Sequence, residues 1–416
     1  MRVIRSLLFA TTLITASAPC AAMPTWSSLE LQARTNLLVN DNGWNLPPGS
    51  SFNSISASLN DDAQVAFTVG VIPDGGDSHP GVWSGAHGVG ALVFEAPGGA
   101  GISSESPINA GGRIVFTLRD TGSADGLYVY DPVAGSASRI NTLPVIPNSY
   151  SSPDINASGA LGYQAVFSGG RALASTLGAN TVLHVADAGV SPGSPYTYIY
   201  TPAFDEARRI AAKVATSADL TTQHEIRRFD AVGESVRILA NQATDPASPY
   251  ARFDNGLAIS PDGTVAVIGV RAADNRRVVV RSDGVTTTEI AAVDPSGTIR
   301  DLDFFAPAIN ASGLVAFRAR DAAGQAIYVG DGTRLVRVVG QSTAVATDLG
   351  PGQVGQHDSS AIFAGKPDIN ARGDIAFVAA LHPAGNNQVE WGSGVFVAYA
   401  SADLVFADGF DTTAPP

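Results

Sequence analysis

One phrase recurs through this chain and limits what it can fold into. Its best copy is Pro307-Ala308-Ile309-Asn310-Ala311-Ser312-Gly313-Leu314-Val315-Ala316-Phe317. Close copies run over residues 107–116, 153–163 and 367–377, and looser ones over 57–67, 202–214 and 257–267. Each copy is two short apolar runs around a polar turn. Asn bonds its own backbone and tolerates left-handed geometry, while Gly supplies positive φ without steric cost. Apolar runs bounded by such residues read as strands joined by a hairpin, with Pro suited to the start of the first strand. The turn positions are Asn60, Asn109, Asn156, Asp205, Ser260, Asn310 and Asn370, spaced by 49, 47, 49, 55, 50 and 60 residues. A period of about 40 to 50 residues with several strands per unit is that of propeller blades. No helical 3.6-residue periodicity competes with it.

The expected fold is therefore all-β: a single seven-bladed β-propeller of four-stranded blades over residues 23–400, with a tail at 401–416. In the sixth unit, strands are expected at 303–309, 314–320, 326–331 and 334–339. In the fifth they are expected at 253–259, 264–271, 277–282 and 287–292. The seventh unit offers 361–369, 374–380 and 394–399 but no fourth strand, whereas residues 36–40 (Asn-Leu-Leu-Val-Asn) look like a fourth strand without a blade. The two gaps match, so the N-terminal strand is expected to close the ring. Residues 403–406 are a competing closer. Phe317 and Phe377 are expected in the core.

Residues 1–22 read as a secretory signal: Arg2 and Arg5, an apolar stretch at 6–18, then small residues before a cut after Ala22. The stretch is too short for a membrane helix, and no later segment is longer. The expected location is therefore extracellular or periplasmic, with no membrane span. Cys20, the only cysteine, leaves with the signal; the alternative is lipidation, which Pro19 before it disfavours. A thiol-free mature chain suits an oxidising compartment. The net charge of −13 becomes −15 once Arg2 and Arg5 are removed, which argues against nucleic acid as a partner. The pairs Arg208-Arg209, Arg227-Arg228 and Arg276-Arg277 read as exposed strand faces, or as a basic patch for an acidic glycan.

The repeats resemble those of uncharacterised secreted bacterial propellers, whose unit continues as Ile327-Tyr328-Val329-Gly330-Asp331-Gly332 does here. Ile259-Ser260-Pro261-Asp262-Gly263 resembles the TolB-type repeat, and Val129-Tyr130-Asp131-Pro132 the kelch-like one. The resemblance covers residues 36–399. It implies a propeller scaffold and no particular activity, because such families share a frame rather than a chemistry. Asp205-Glu206 departs from the pattern, which leaves the fourth blade's boundary open. Residues 402–411 are similar to a short phrase ending many exported proteobacterial proteins, read here as a sorting handle or a last strand.

Neither H-E-x-x-H nor a P-loop occurs in the sequence. His79, His87, His184, His224, His357 and His382 fall at no ligand spacing, with His87, His357 and His382 in the most interesting loops. Asp61-Asp62, Asp74 with Asp77, and Asp301 with Asp303 are the calcium candidates, though none follows an EF-hand. The repeated Asn could form a ring of ligands about the axis, but the turn role suffices. Glu and Asp side chains such as Asp205, Glu206, Glu225 and Glu390 could supply a glycosidase pair, yet nothing selects among them. The expected function is a monomeric exported binding or scaffold protein for an unknown protein or glycan, without a cofactor. The alternative is an extracellular polymer-active enzyme, a glycan hydrolase or lyase with an axial site. Converging carboxylates on the axis would favour the enzyme; a Gly/Ser mouth with exposed aromatics would favour binding.

Overall fold

The computed structural model describes residues 23–36, 43–52, 55–72, 77–119, 125–140, 143, 145–231, 233–357 and 361–401. Those residues are all-β, with no helix, and the strands fall into seven sheets arranged as a propeller-like ring. Six sheets are blades built from chain-consecutive strands, spanning residues 50–95, 101–140, 149–186, 198–240, 250–292 and 301–340. Each is an antiparallel meander from the axis outward, because a connection of two to eight residues can only return the chain beside itself. The fifth blade matches its expected strands closely, at Tyr250–Ile259, Val265–Arg271, Arg277–Ser282 and Thr287–Ala292. The fourth is regular despite its altered turn, at Tyr198–Phe204, Ile210–Ala215, His224–Ala231 and Glu234–Ala240.

The remaining sheet corrects the expectation of seven equal blades. It has six strands, ordered Gly350–Val354, Ala344–Thr347, Thr25–Arg34, Ser393–Ser401, Ile375–Pro383 and Phe363–Ile369. The strand lying outside Ser393–Ser401 is Thr25–Arg34, not residues 36–40. Of that expected segment, 37–40 lie outside the described residues, as do 403–406. Thr25–Arg34 escapes a sequence reading because two register shifts, at Trp26/Ser28 and Leu31/Ala33, break its apolar alternation. The extra hairpin Ala344–Thr347/Gly350–Val354 accounts for the long 60-residue step between Asn310 and Asn370.

The core is divided among the interfaces between neighbouring sheets. Seven clusters of buried apolar residues each join consecutive sheets, including one that packs Val378, Val395 and Val397 of the composite sheet against Val65, Phe67 and Trp83 of the first blade. Phe317 and Phe377 are buried within these layers, as expected. Burying an aromatic of this size contributes about 2 to 3 kcal/mol.

The repeated Asn does two jobs. Its Oδ1 accepts backbone N–H groups within its own turn, at 3.1 and 2.9 Å from Asp62 and Gln64 for Asn60, and at 3.1 and 3.0 Å from Ser312 and Leu314 for Asn310. Its Nδ2 donates to the equivalent carbonyl of the next sheet: Asn60 to Asn109 O (3.0 Å), Asn109 to Asn156 O (3.0 Å), Asn310 to Asn370 O (3.1 Å) and Asn370 to Asn60 O (3.1 Å). Asp205 and Ser260 cannot donate in this way. There Arg209 reaches Pro261 O at 3.1 Å, and Arg281 reaches Gly313 O. The turn role is thus met, and a belt of side-chain amides between blades is added to it.

Candidate functional site

Strand alternation fixes what faces the axis. The residue before each repeated Asn points into a sheet interface, as Ile155, Ile309 and Ile369 do. The residue two places before it therefore projects the other way, and the residue four places before it reaches the same space, in four of the sheets across a register shift. They line an axial cavity of about 330 Å³ to which the innermost segments of all seven sheets contribute.

Two unlike halves result. The fourth to sixth blades present Thr201 and Ala203, Gly256 and Ala258, and Ala306 and Ala308. The composite sheet and the first three blades present Lys366 and Asp368, Ser56 and Ser58, Glu105 and Pro107, and Ser152 and Asp154. Three carboxylates and one ammonium thus share the lumen. Lys366 Nζ lies 3.1 Å from Glu105 Oε2, a pair that reaches from the composite sheet past the first blade to the second. Asp368 Oδ2 accepts from Leu59 N at 2.9 Å and from Ser58 Oγ at 3.2 Å, clipping the composite sheet to the first blade. Among the described residues, the Asp154 carboxylate accepts only from the neighbouring Ile155 N, at 2.8 Å. Ser106 borders the cavity, and its fully buried hydroxyl has no partner among the described residues.

The electrostatics follow from this crowding. Burial pushes the Asp154 carboxyl up to about 7; Lys366 opposes the shift and the carboxylates of Asp368 and Glu105 reinforce it. Burial likewise raises Asp368, against the pull of its backbone partners and Lys366. Burial works against the charge on Lys366, but Glu105, Asp154 and Asp368 outweigh it and hold the ammonium above its ordinary value. Asp154 is thus a carboxyl poised near neutrality beside a permanent cation.

At the end of the lumen away from the Asn turns stand Phe304 and Phe305, both exposed. Arg277 lies 4.4 Å over the first ring and Arg318 4.3 Å over the second. These residues interrupt the innermost strand of the sixth blade, which pairs only at Asp301–Leu302 and Ala308–Ile309 instead of continuously over 303–309. Arg318 also donates to Gly365 O at 2.6 Å. Gly365 has φ near +60°, and a Cβ there would meet Ile55 O at 2.3 Å, so the backbone of the composite sheet approaches the first blade as only glycine permits.

Few of the residues singled out in the sequence reach this site. Glu390 pairs with His357 at 2.8 Å on the surface, and His87 joins Glu30 and Tyr399 away from the axis. His382 bonds Pro383 O, and His79 faces Glu95. His184 is held by Ser175 at 2.9 Å, with burial, aided by Arg208, lowering it to about 4. His224 meets Leu220 O, and burial lowers it too. Asp205 pairs with Arg209, Glu206 accepts from Ala157 N, and Glu225 pairs with Arg227. The paired arginines are largely spent on ion pairs, as with Arg228–Asp230 and Arg277–Asp254. Asp61 binds Ala371 N, Asp301 binds Leu302 N and Asp303 binds Arg318; Asp74 lies outside the described residues. Among the described residues, no group of three or more His, Cys, Asp or Glu could hold a metal ion. The sequence did contain the signal for Glu105, Asp154, Lys366 and Asp368: their offset from the repeated Asn.

Another cavity, about 720 Å³, lies between the composite sheet and the sixth blade and is lined by Trp26, Leu29, Val339, Val345 and Pro351 among others, with no titratable group. It offers no acid–base chemistry. No helix of the described residues is long and apolar enough to cross a membrane.

No family model and no curated protein matches the sequence. Solved structures do match, at low similarity. YCF48 bound to D1 peptide is 12% identical, with 92% of this chain and 100% of that one covered and a TM-score of 0.45. A putative gluconolactonase is 14% identical, over 70% and 86%, with a TM-score of 0.35. The calcium-binding protein regucalcin from Agrobacterium tumefaciens is 15% identical, over 70% and 87%, with a TM-score of 0.34. At these values they assign no activity.

Proposed function

We propose that this chain is an exported, seven-bladed β-propeller that binds a polar ligand in its axial lumen. In this reading residues 1–22 are the signal, the composite sheet counts as the seventh blade, and Thr25–Arg34 closes the ring. Met23, the residue after the expected cut, is buried against the composite sheet's core, which supports starting the folded unit there. The carrying observation is the asymmetry of the lumen. Three blades line it without a charged side chain, and at the positions two and four before the turn residue with nothing larger than Thr, so the scaffold does not require charge there. Gathering Glu105, Lys366, Asp154 and Asp368 on the other side costs desolvation that folding alone does not repay. Serine hydroxyls and the exposed Phe304 and Phe305 beside them suit recognition of a hydroxylated ligand.

A second reading, an enzyme acting on an extracellular polymer, is favoured by one observation: a carboxyl near neutrality suits general acid–base work. Calorimetry of the mature protein against a glycan panel tests both. Binding that Lys366→Met weakens at least tenfold, with no product released, supports the first reading. Product release that Asp154→Asn abolishes supports the second. A ligand whose binding ignores both substitutions removes the lumen from consideration.

A further inference from the structure

We propose that the lumen is the inner end of a radial groove that takes an acidic oligosaccharide, a chain of uronic-acid type. This rests on the axial lumen being the ligand site and deepens that reading. Beside the lumen, between the second and third blades, lies a cavity of about 410 Å³. It shares Ser104, Glu105, Ser152 and Pro153 with the lumen, so the two are contiguous. A third cavity of about 370 Å³ shares Thr117, Arg119 and Tyr150 with the second and continues outward. The three in sequence form a path from the axis along one blade interface, on the face opposite the Asn turns. A compact metabolite would not need such a path; an extended chain would.

The chemistry changes along the path. The inner end holds Glu105, Asp154 and Asp368, acceptors for the hydroxyl groups that a sugar presents in pairs. Serine residues line the middle, where Ser152 adopts φ near +48°, a strained conformation for a residue with a side chain. Tyr150 borders both outer cavities and is braced edge-on against Tyr163, with ring centroids 5.5 Å apart. An aromatic held in place is the usual platform for the apolar face of a sugar ring. Arg119 stands at the junction of the outer cavities, exposed and without an ion pair among the described residues. A guanidinium so placed is a fork for a carboxylate. Acidic groups at the inner end repel a chain carrying carboxylates throughout, so one end is expected to enter by a neutral, hydroxyl-bearing face while a carboxylate reaches Arg119.

The test is calorimetric titration of the full mature chain with short oligogalacturonides and with cello-oligosaccharides of equal length. The expected result is preference for the acidic series, with affinity rising with length until the groove is filled. Arg119→Gln is expected to weaken the acidic series about tenfold and leave any neutral binding within twofold; Arg119 is exposed, and an unchanged melting temperature checks that the variant folds. Tyr150→Phe should retain binding and Tyr150→Ala lose it. An acidic series bound equally by wild type and Arg119→Gln, yet lost in Lys366→Met, overturns the groove and keeps the lumen. Insensitivity to both substitutions overturns both. A stronger neutral series, or no binding of either, overturns the acidic-chain assignment.

Discussion

The two halves of the axial lumen are built from the same repeat and do opposite things with it. In the fourth to sixth blades, the positions two and four before the turn residue hold Thr201, Ala203, Gly256, Ala258, Ala306 and Ala308. Their strands contribute packing and little else toward the axis. Around the remaining sheets the same positions hold Lys366, Asp368, Glu105, Ser152 and Asp154. The blade architecture is unchanged, since both halves keep the same interface clusters. The difference teaches that scaffold and site are separable here at single positions. The separation is incomplete, because Asp368 also clips the composite sheet to the first blade.

The comparison can be broken most severely by moving charge across it. Ala308→Asp places a carboxylate at a buried position of the plain half, inside the apolar cluster shared with the composite sheet, and should cost about 3 to 5 kcal/mol by urea unfolding. A loss under 1 kcal/mol would mean that the two halves tolerate charge equally. Removing the compensating cation is next in size. Lys366→Met leaves Glu105, Asp154 and Asp368 facing one another and should cost about 2 kcal/mol at pH 8, with much of the loss recovered at pH 4. An unchanged denaturation midpoint at both pH values would show that the pair in the lumen carries no stability.

A third test uses pH directly. The folded-state value for Asp154, about 7, lies above its ordinary 3.8, so the native state holds this proton more tightly than the unfolded chain. The contribution is favourable and complete below the ordinary value and is lost as pH rises toward 7. Asp154→Asn removes the dependence. The variant should match wild type near pH 3.5 and gain on it through pH 7, by about 1 to 2 kcal/mol after allowing for solvent in the lumen. A difference that shrinks as pH rises would reverse the sign and refute the assignment. The smallest effect is expected at Ser152. Ser152→Gly relieves the left-handed strain and should raise stability by about 0.5 kcal/mol, the gain being limited by the entropy of the new glycine. If the strain serves binding, affinity falls in the same variant.

Much of this molecule was legible before any coordinates. The period of the Asn turn marked the blades, and period-two alternation placed Phe317 and Phe377 inside. The outer strand of the composite sheet was misplaced, because Asn36-Leu37-Leu38-Val39-Asn40 looks like a strand, whereas Thr25–Arg34 carries two bulges that hide its apolar face. The site residues were missed for another reason. Asp205, Glu206, Glu225 and Glu390 stand out singly in the sequence, yet three are tied up with a neighbouring arginine or histidine and the fourth caps a turn. Alignment of the seven copies on the turn residue would have ranked Glu105, Asp154, Lys366 and Asp368 first, since strand geometry sends those offsets to the axis.

By itself the sequence determined the all-β class, the unit of repetition and the local turn chemistry, because each depends on residues within a few positions of one another. Tertiary structure alone decided which charges meet. Lys366 and Glu105 are 261 positions apart and touch only because the sheets are arranged around an axis. The same arrangement turns a carboxyl that would ionise readily in water into one poised near neutrality, since burial and the company of Asp368 and Glu105 are properties of the assembled ring, not of any one blade.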